Sequence, residues 1–195
     1  MRLFLAITAL ITTAVATTLL YQHTQQADIN YYQGHRYFEK GNYKEAIPYF
    51  IKALSSNQEH KSTLIELAYS YKWTGELKKA IEIFQEILLI NPHDYKIKRS
   101  LAETYSWSKE YKKAISLYRD AVMDKKEDID TQKKLAEVYI WDGQHQKAIE
   151  LLKPIIDKRP YDSQAKLLMG NALHYSGKSK EASEIYKELL GQEEK

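Results

Sequence analysis

Leu101-Ala102-Glu103-Thr104-Tyr105-Ser106-Trp107, followed seven residues on by Ala114-Ile115, decides the fold because the chain repeats it. The phrase stands upstream as Leu67-Ala68-Tyr69-Ser70-Tyr71-Lys72-Trp73 with Ala80-Ile81, and downstream as Leu135-Ala136-Glu137-Val138-Tyr139-Ile140-Trp141 with Ala148-Ile149. Weaker copies lie at Gly34, Tyr37 and Ala46-Ile47, and at Gly170, Leu173 and Ala182. Ala46, Ala80, Ala114, Ala148 and Ala182 follow one another at intervals of 34 residues, without insertion. A fixed period of that size marks a stacked array, in which no unit buries its apolar face alone.

Units begin at residues 27, 61, 95, 129 and 163. In the third, Leu101, Ala102 and Tyr105 form one stripe of a first helix, and Tyr111, Ala114, Ile115, Tyr118 and Ala121 the stripe of a second. Ser108-Lys109-Glu110 reads as the turn between them; the other units carry Gly41, Gly75, Gly143 or Gly177 there. Glycine readily takes the left-handed conformation that ends a helix. Small residues recur in pairs, from Gly34 with Ala46 to Gly170 with Ala182, and predict close antiparallel helices. Pro92 and Pro160 end second helices, while Gln58 and Lys126 are weaker stops. Pro48 and Pro154 fall inside second helices, where a local kink is expected.

This pattern resembles the tetratricopeptide repeat over residues 27–190, leaving 191–195 as a polar tail. The shared features are small-x-x-Tyr in the first helix (Ala68/Tyr71, Ala102/Tyr105, Ala136/Tyr139) and Ala-x-x-x-aromatic in the second (Ala46/Phe50, Ala80/Phe84, Ala114/Tyr118, Ala182/Tyr186). Departures are Leu152 for the aromatic, Leu173 for the last tyrosine, and the lack of a tryptophan opening any unit. The resemblance implies an all-α fold: an α-solenoid of five helix-turn-helix units in a right-handed superhelix. Its first helices would line a concave groove that holds a protein or peptide partner.

Residues 1–21 read as a signal peptide or a membrane anchor. Arg2 is followed by Leu3 to Leu20 without a charge, a run about 27 Å long as a helix. Cleavage near Ala14-Val15-Ala16 suits a signal peptide; retention would hold the chain in the membrane through residues 3–20. Both predict an exported protein, periplasmic or anchored at the outer side of the cytoplasmic membrane. Residues 22–26 read as a polar linker.

The remaining chemistry is sparse. With no cysteine, the chain forms no disulfide and offers no thiolate. A net charge of +3 with scattered lysines argues against nucleic acid, which calls for a basic face. The six histidines fall at unrelated places in the repeat, and none is read as having a ligand partner one turn on. No phosphate loop or nucleophile elbow occurs. No cofactor, metal or catalytic residue is expected, and the chain does not read as an enzyme.

Recognition is expected on the groove. At about 100° per residue, Trp107 points away from Tyr105 and therefore from the second helix. Trp73 and Trp141 hold the same place and Tyr175 extends the column, which predicts an aromatic ladder. Tyr31, His35, Tyr69, Arg99, Glu103, Lys133 and Glu137 complete the expected groove surface. Exposed rings suit peptide side chains or the apolar faces of sugars, so a polysaccharide is the alternative ligand. The phrases Tyr71-Lys72-Trp73-Thr74-Gly75 and Tyr139-Ile140-Trp141-Asp142-Gly143 are similar to periplasmic repeats of exopolysaccharide-secretion proteins.

Overall fold

The computed structural model describes residues 2–56 and 61–193, without the side chains of residues 2–9, 23, 24, 56, 192 and 193. Among the described residues there are ten α-helices and no strand: α1 (Arg2–Glu39), α2 (Tyr43–Ser56), α3 (Lys61–Trp73), α4 (Leu77–Ile90), α5 (Tyr95–Trp107), α6 (Tyr111–Asp124), α7 (Ile129–Trp141), α8 (His145–Lys158), α9 (Ser163–Tyr175) and α10 (Ser179–Glu193). The fold is the all-helical array of hairpins that the period predicts. The chain divides into two compact units, residues 1–87 and 88–195.

In the first unit α1 is one helix of 38 residues. It runs unbroken through residues 22–26, so the expected linker is helical, and the first hairpin shares its leading helix with the N-terminal segment. The apolar run Leu3–Leu20 lies partly outside the described side chains. Among the described residues, no helix is long and apolar enough to cross a membrane. Among the described side chains Ala27 is the first buried one of α1, and from there the helix packs on α2 through Ala46, Phe50 and Ala53. Gly34 is required there: a β-carbon on it would lie 2.7 Å from the Phe50 ring. Tyr69 of α3 meets the Phe84 ring edge-on at 5.3 Å.

In the second unit each hairpin closes the same way. Ala102, Tyr105, Ala114, Tyr118 and Ala121 are buried between α5 and α6, and Ala136, Tyr139, Ala148 and Leu152 between α7 and α8. Full burial of a side chain the size of Leu152 is worth about 1.5–3 kcal/mol. The small residue of each first helix admits the bulky side chain of its own second helix. A β-carbon at Gly170 would sit 2.5 Å from the Tyr186 ring. The α2 and α8 helices continue through Pro48 and Pro154. Gln58 lies outside the described residues.

Asp94, Asp128 and Asp162 cap α5, α7 and α9, their carboxylates accepting from the backbone N–H of Ile97, Thr131 and Ala165. Two of these caps also join neighbouring hairpins. Asp128 accepts from the Tyr95 hydroxyl and lies 3.6 Å from the Arg99 guanidinium. Asp162 receives the Lys133 ammonium at 3.1 Å. Burial opposes ionisation of both carboxylates, but the hydroxyl and amide donors at Asp128, and the Ala165 amide and Lys133 at Asp162, hold both below the usual aspartate range.

Candidate functional site

First helices expose one flank wherever second helices cover the other, and two hollows open along that flank in residues 88–195. One, of about 280 Å³, lies between α5, α7 and α9. Its wall alternates charge: Arg99 and Glu103 from α5, Asp130 and Lys134 from α7, with the Gln164 amide from α9. Tyr118 forms its floor, reaching up from α6. Burial, with Glu103 and Glu137 nearby, pushes the Tyr118 phenol well above the tyrosine range, so it stays protonated and able to donate.

The second hollow, of about 300 Å³, is more apolar. Trp141 and Ile140 of α7 and Leu168 and Tyr175 of α9 surround it, with Glu137, Asn171 and His145 as its polar groups. The two hollows meet at an ion pair, since Lys134 of the first binds Glu137 of the second at 3.1 Å. Such a surface suits an extended ligand carrying both charge and apolar bulk. Among the described residues no group of three or more histidine and acidic side chains is placed to hold a metal ion.

The tetratricopeptide repeat family matches the chain at residues 37–103, 75–138, 108–171 and 141–195. The chain belongs to the tetratricopeptide-repeat family. Solved structures agree. A MamA protein is 26% identical, with 87% of this chain and 93% of that chain covered and a TM-score of 0.76. At the level of fold alone, MamA from Desulfovibrio magneticus RS-1 (residues 41 to the end) gives a TM-score of 0.79 at 19% identity, covering 87% of this chain and 96% of that one. A tetratricopeptide repeat protein from Parabacteroides merdae gives 0.79 at 17% identity, covering 88% of this chain and 68% of that one. No curated protein matches the chain. The tetratricopeptide-repeat fold is consistent with a protein-interaction scaffold.

Within these repeats the residues expected on the groove take different places. Arg99 and Glu103 line the charged hollow, and Glu137, Trp141 and Tyr175 the apolar one. Lys133 is buried instead, its ammonium spent on Asp162 and on Asp130 at 3.3 Å. Tyr69 is directed at Phe84.

The rings of the expected ladder are half open, with exposures of 50% at Trp73, 40% at Trp107, 47% at Trp141 and 63% at Tyr175. They do not stand free. Trp73 stacks on Tyr43 at 6.1 Å, Trp141 leans on Tyr111 at 6.0 Å and Tyr175 stacks on His145 at 5.8 Å. Each of these three therefore packs across the seam between the end of its first helix and the start of the preceding second helix.

In residues 1–87, Tyr31 and His35 stack at 5.7 Å and both turn to Glu66 of α3. The Tyr31 hydroxyl donates to Glu66 at 3.2 Å and His35 Nδ1 lies 2.9 Å from the same carboxylate. His35 Nε2 is 3.4 Å from Glu39, the partner one turn on that the sequence reading overlooked. The hydrogen bond to Glu66, reinforced by the charges of Glu66 and Glu39 against partial burial, raises the imidazole above its ordinary value.

Sequence reasoning missed Asp130, Lys134, Gln164 and Asn171. The repeat register held the signal for Asn171, which stands 34 residues after Glu137, but not for Lys134. Lys133 matches Arg99 in register, but its stem points across to the next cap, whereas Lys134 one position on faces the hollow.

Proposed function

We propose that the protein is a tetratricopeptide-repeat scaffold, exported or anchored at the outer side of the cytoplasmic membrane, that holds a protein partner on its first-helix face and helps assemble a complex. The observation that carries this reading is the hollow walled by Arg99, Glu103, Asp130 and Lys134. Alternating charge around an open cleft favours a peptide segment with side chains of both signs. Such groups act mainly by steering encounter and rejecting wrong partners. The charge-free run Leu3–Leu20 behind Arg2 supports export or anchoring.

The test is capture of crosslinked partners by the tagged full chain from its own cells. The scaffold reading expects the same protein in repeated preparations, lost when Arg99→Glu and Lys134→Glu are combined. Capture that is unreproducible, or indifferent to the double substitution, overturns it. The mass of the mature N-terminus distinguishes cleavage from anchoring.

A second reading, glycan binding within a cell-envelope secretion system, is favoured by one feature. Trp141 and Tyr175 share a hollow with Asn171 and Glu137, pairing ring faces with hydrogen-bonding groups suited to a sugar. Oligosaccharides titrated against tryptophan fluorescence should then shift the spectrum of the native chain but not of Trp141→Ala. An unchanged native spectrum excludes it.

A further inference from the structure

Three hairpins carry the same roof over the furrow beside the second helix. Lys79 lies over the Tyr71 ring at 4.9 Å, Lys113 over Tyr105 at 5.1 Å and Lys147 over Tyr139 at 5.8 Å. In the last hairpin both members change together: Leu173 stands for the tyrosine and Glu181 for the lysine. The ring and its cation are gone, and a hollow of about 420 Å³ opens between α8 and α10 with α9 beneath.

The opening is apolar inside and acidic at the edge. Met169 and Leu173 of α9 lie under it, with Ile156 and Ile185 on its sides. Asp157, Glu181, Glu184 and Glu188 rim it, against the single cation Lys153. The four carboxylates are exposed, and Glu188 shares its charge with Lys166 at 2.9 Å. This local sign runs against a chain whose net charge is +3. The same place one hairpin earlier carries Met123, Lys147, Glu150 and Pro154, and three hairpins earlier Ser55, Lys79, Glu82 and Glu86, so the full set of four carboxylates, with no lysine among them, belongs to the last hairpin.

We propose that this furrow is a second docking surface, distinct from the first-helix face, for an amphipathic helix with a basic rim. Two parallel second helices with an apolar floor accept the apolar stripe of such a helix, and its flanking lysines or arginines meet the carboxylates. The occupant is a separate partner helix rather than a peptide of mixed charge, because the rim is almost wholly of one sign.

The test uses a fluorescent leucine–lysine amphipathic peptide of about four turns, read by anisotropy against the full chain. The expected result is saturable binding that weakens with salt and is absent for the leucine–glutamate counterpart. Combining Leu173→Tyr with Glu181→Lys rebuilds the roof of the earlier hairpins and should weaken binding roughly tenfold or more with helical circular dichroism unchanged. Arg99→Glu with Lys134→Glu should leave it intact, which separates this surface from the scaffold reading. Equal binding of both peptides, or indifference to the rebuilt roof, overturns the proposal. So does self-association of the chain that disappears in the rebuilt variant, which would make a second copy the occupant.

Discussion

Lys109 is the non-glycine residue with positive φ among the described residues, at 63°, where the other four turns place glycine at 75–85°. A side chain in the left-handed region costs about 1 kcal/mol. Lys109→Gly should therefore raise the unfolding free energy by roughly 0.5–1 kcal/mol, read as a higher urea midpoint without a change in slope. The turn was legible from the period alone, since Ser108-Lys109-Glu110 occupies the glycine register. The backbone follows the register, and the side chain bears the strain.

His35 is the opposite case. Its position was legible and Glu39 stood one turn on, but its main partner was not, because Glu66 is remote in sequence. Glu66, Glu39 and Tyr31 face it, and the first two raise its folded value. A raised histidine contributes stability that is complete below the unfolded value, near 6.5, and is lost as pH rises through the higher folded value. Native protein should thus lose more urea resistance between about pH 6 and pH 8 than His35→Gln does. Parallel pH profiles for the two proteins would contradict this.

At the scale of the element, the caps carry more than helix starts. Asp162 accepts from the Ala165 N–H in the first turn of α9 and pairs with buried Lys133 of α7. Asp162→Ala removes a cap, worth about 1 kcal/mol, and leaves the Lys133 ammonium only the exposed Asp130 at 3.3 Å, so the total loss should be roughly 1–3 kcal/mol. Thermal unfolding measures it, and amide exchange should show α9 opening first. The Asp162 carboxylate is held low, so its contribution is present above about pH 4 and fades as pH falls further.

Helix positions, turns and buried stripes were readable because each depends on angle around one helix axis. The ties between Lys133 and Asp162, and between Tyr95 and Asp128, were not. They depend on how far a long side chain reaches across to the next hairpin, and a helical projection holds no reach. The stretch 22–26 follows the same logic: polar composition describes its solvation, while the helix on either side sets its backbone.

For the whole molecule, the aromatic seams separate recognition from stability. Trp73, Trp107 and Trp141 are each at least 40% exposed, and the ring contacts with Tyr43 and Tyr111 are worth about 0.5–1.5 kcal/mol apiece. Replacing all three by alanine should preserve helical circular dichroism and lower the melting temperature by several degrees. Binding to the first-helix face should be lost. Collapse of the helical signal would instead make the indoles part of the core. The repeat made the recurrence of a ring at the end of each of these first helices legible. It did not disclose the tyrosine and histidine backings, which come from the preceding unit and lack a shared residue type.

Because α1 is continuous from Arg2 to Glu39, it behaves as a spar rather than a tether. Whatever grips its beginning sets the azimuth of the first hairpin, since torque passes through the backbone ladder without a swivel. One residue inserted near position 24 would swing the Tyr31 and His35 side of that hairpin by about 100° and advance it about 1.5 Å. Seven inserted residues would return it to within about 20° of its original heading, so the bearing of this hairpin is written into the helical phase of the segment before it.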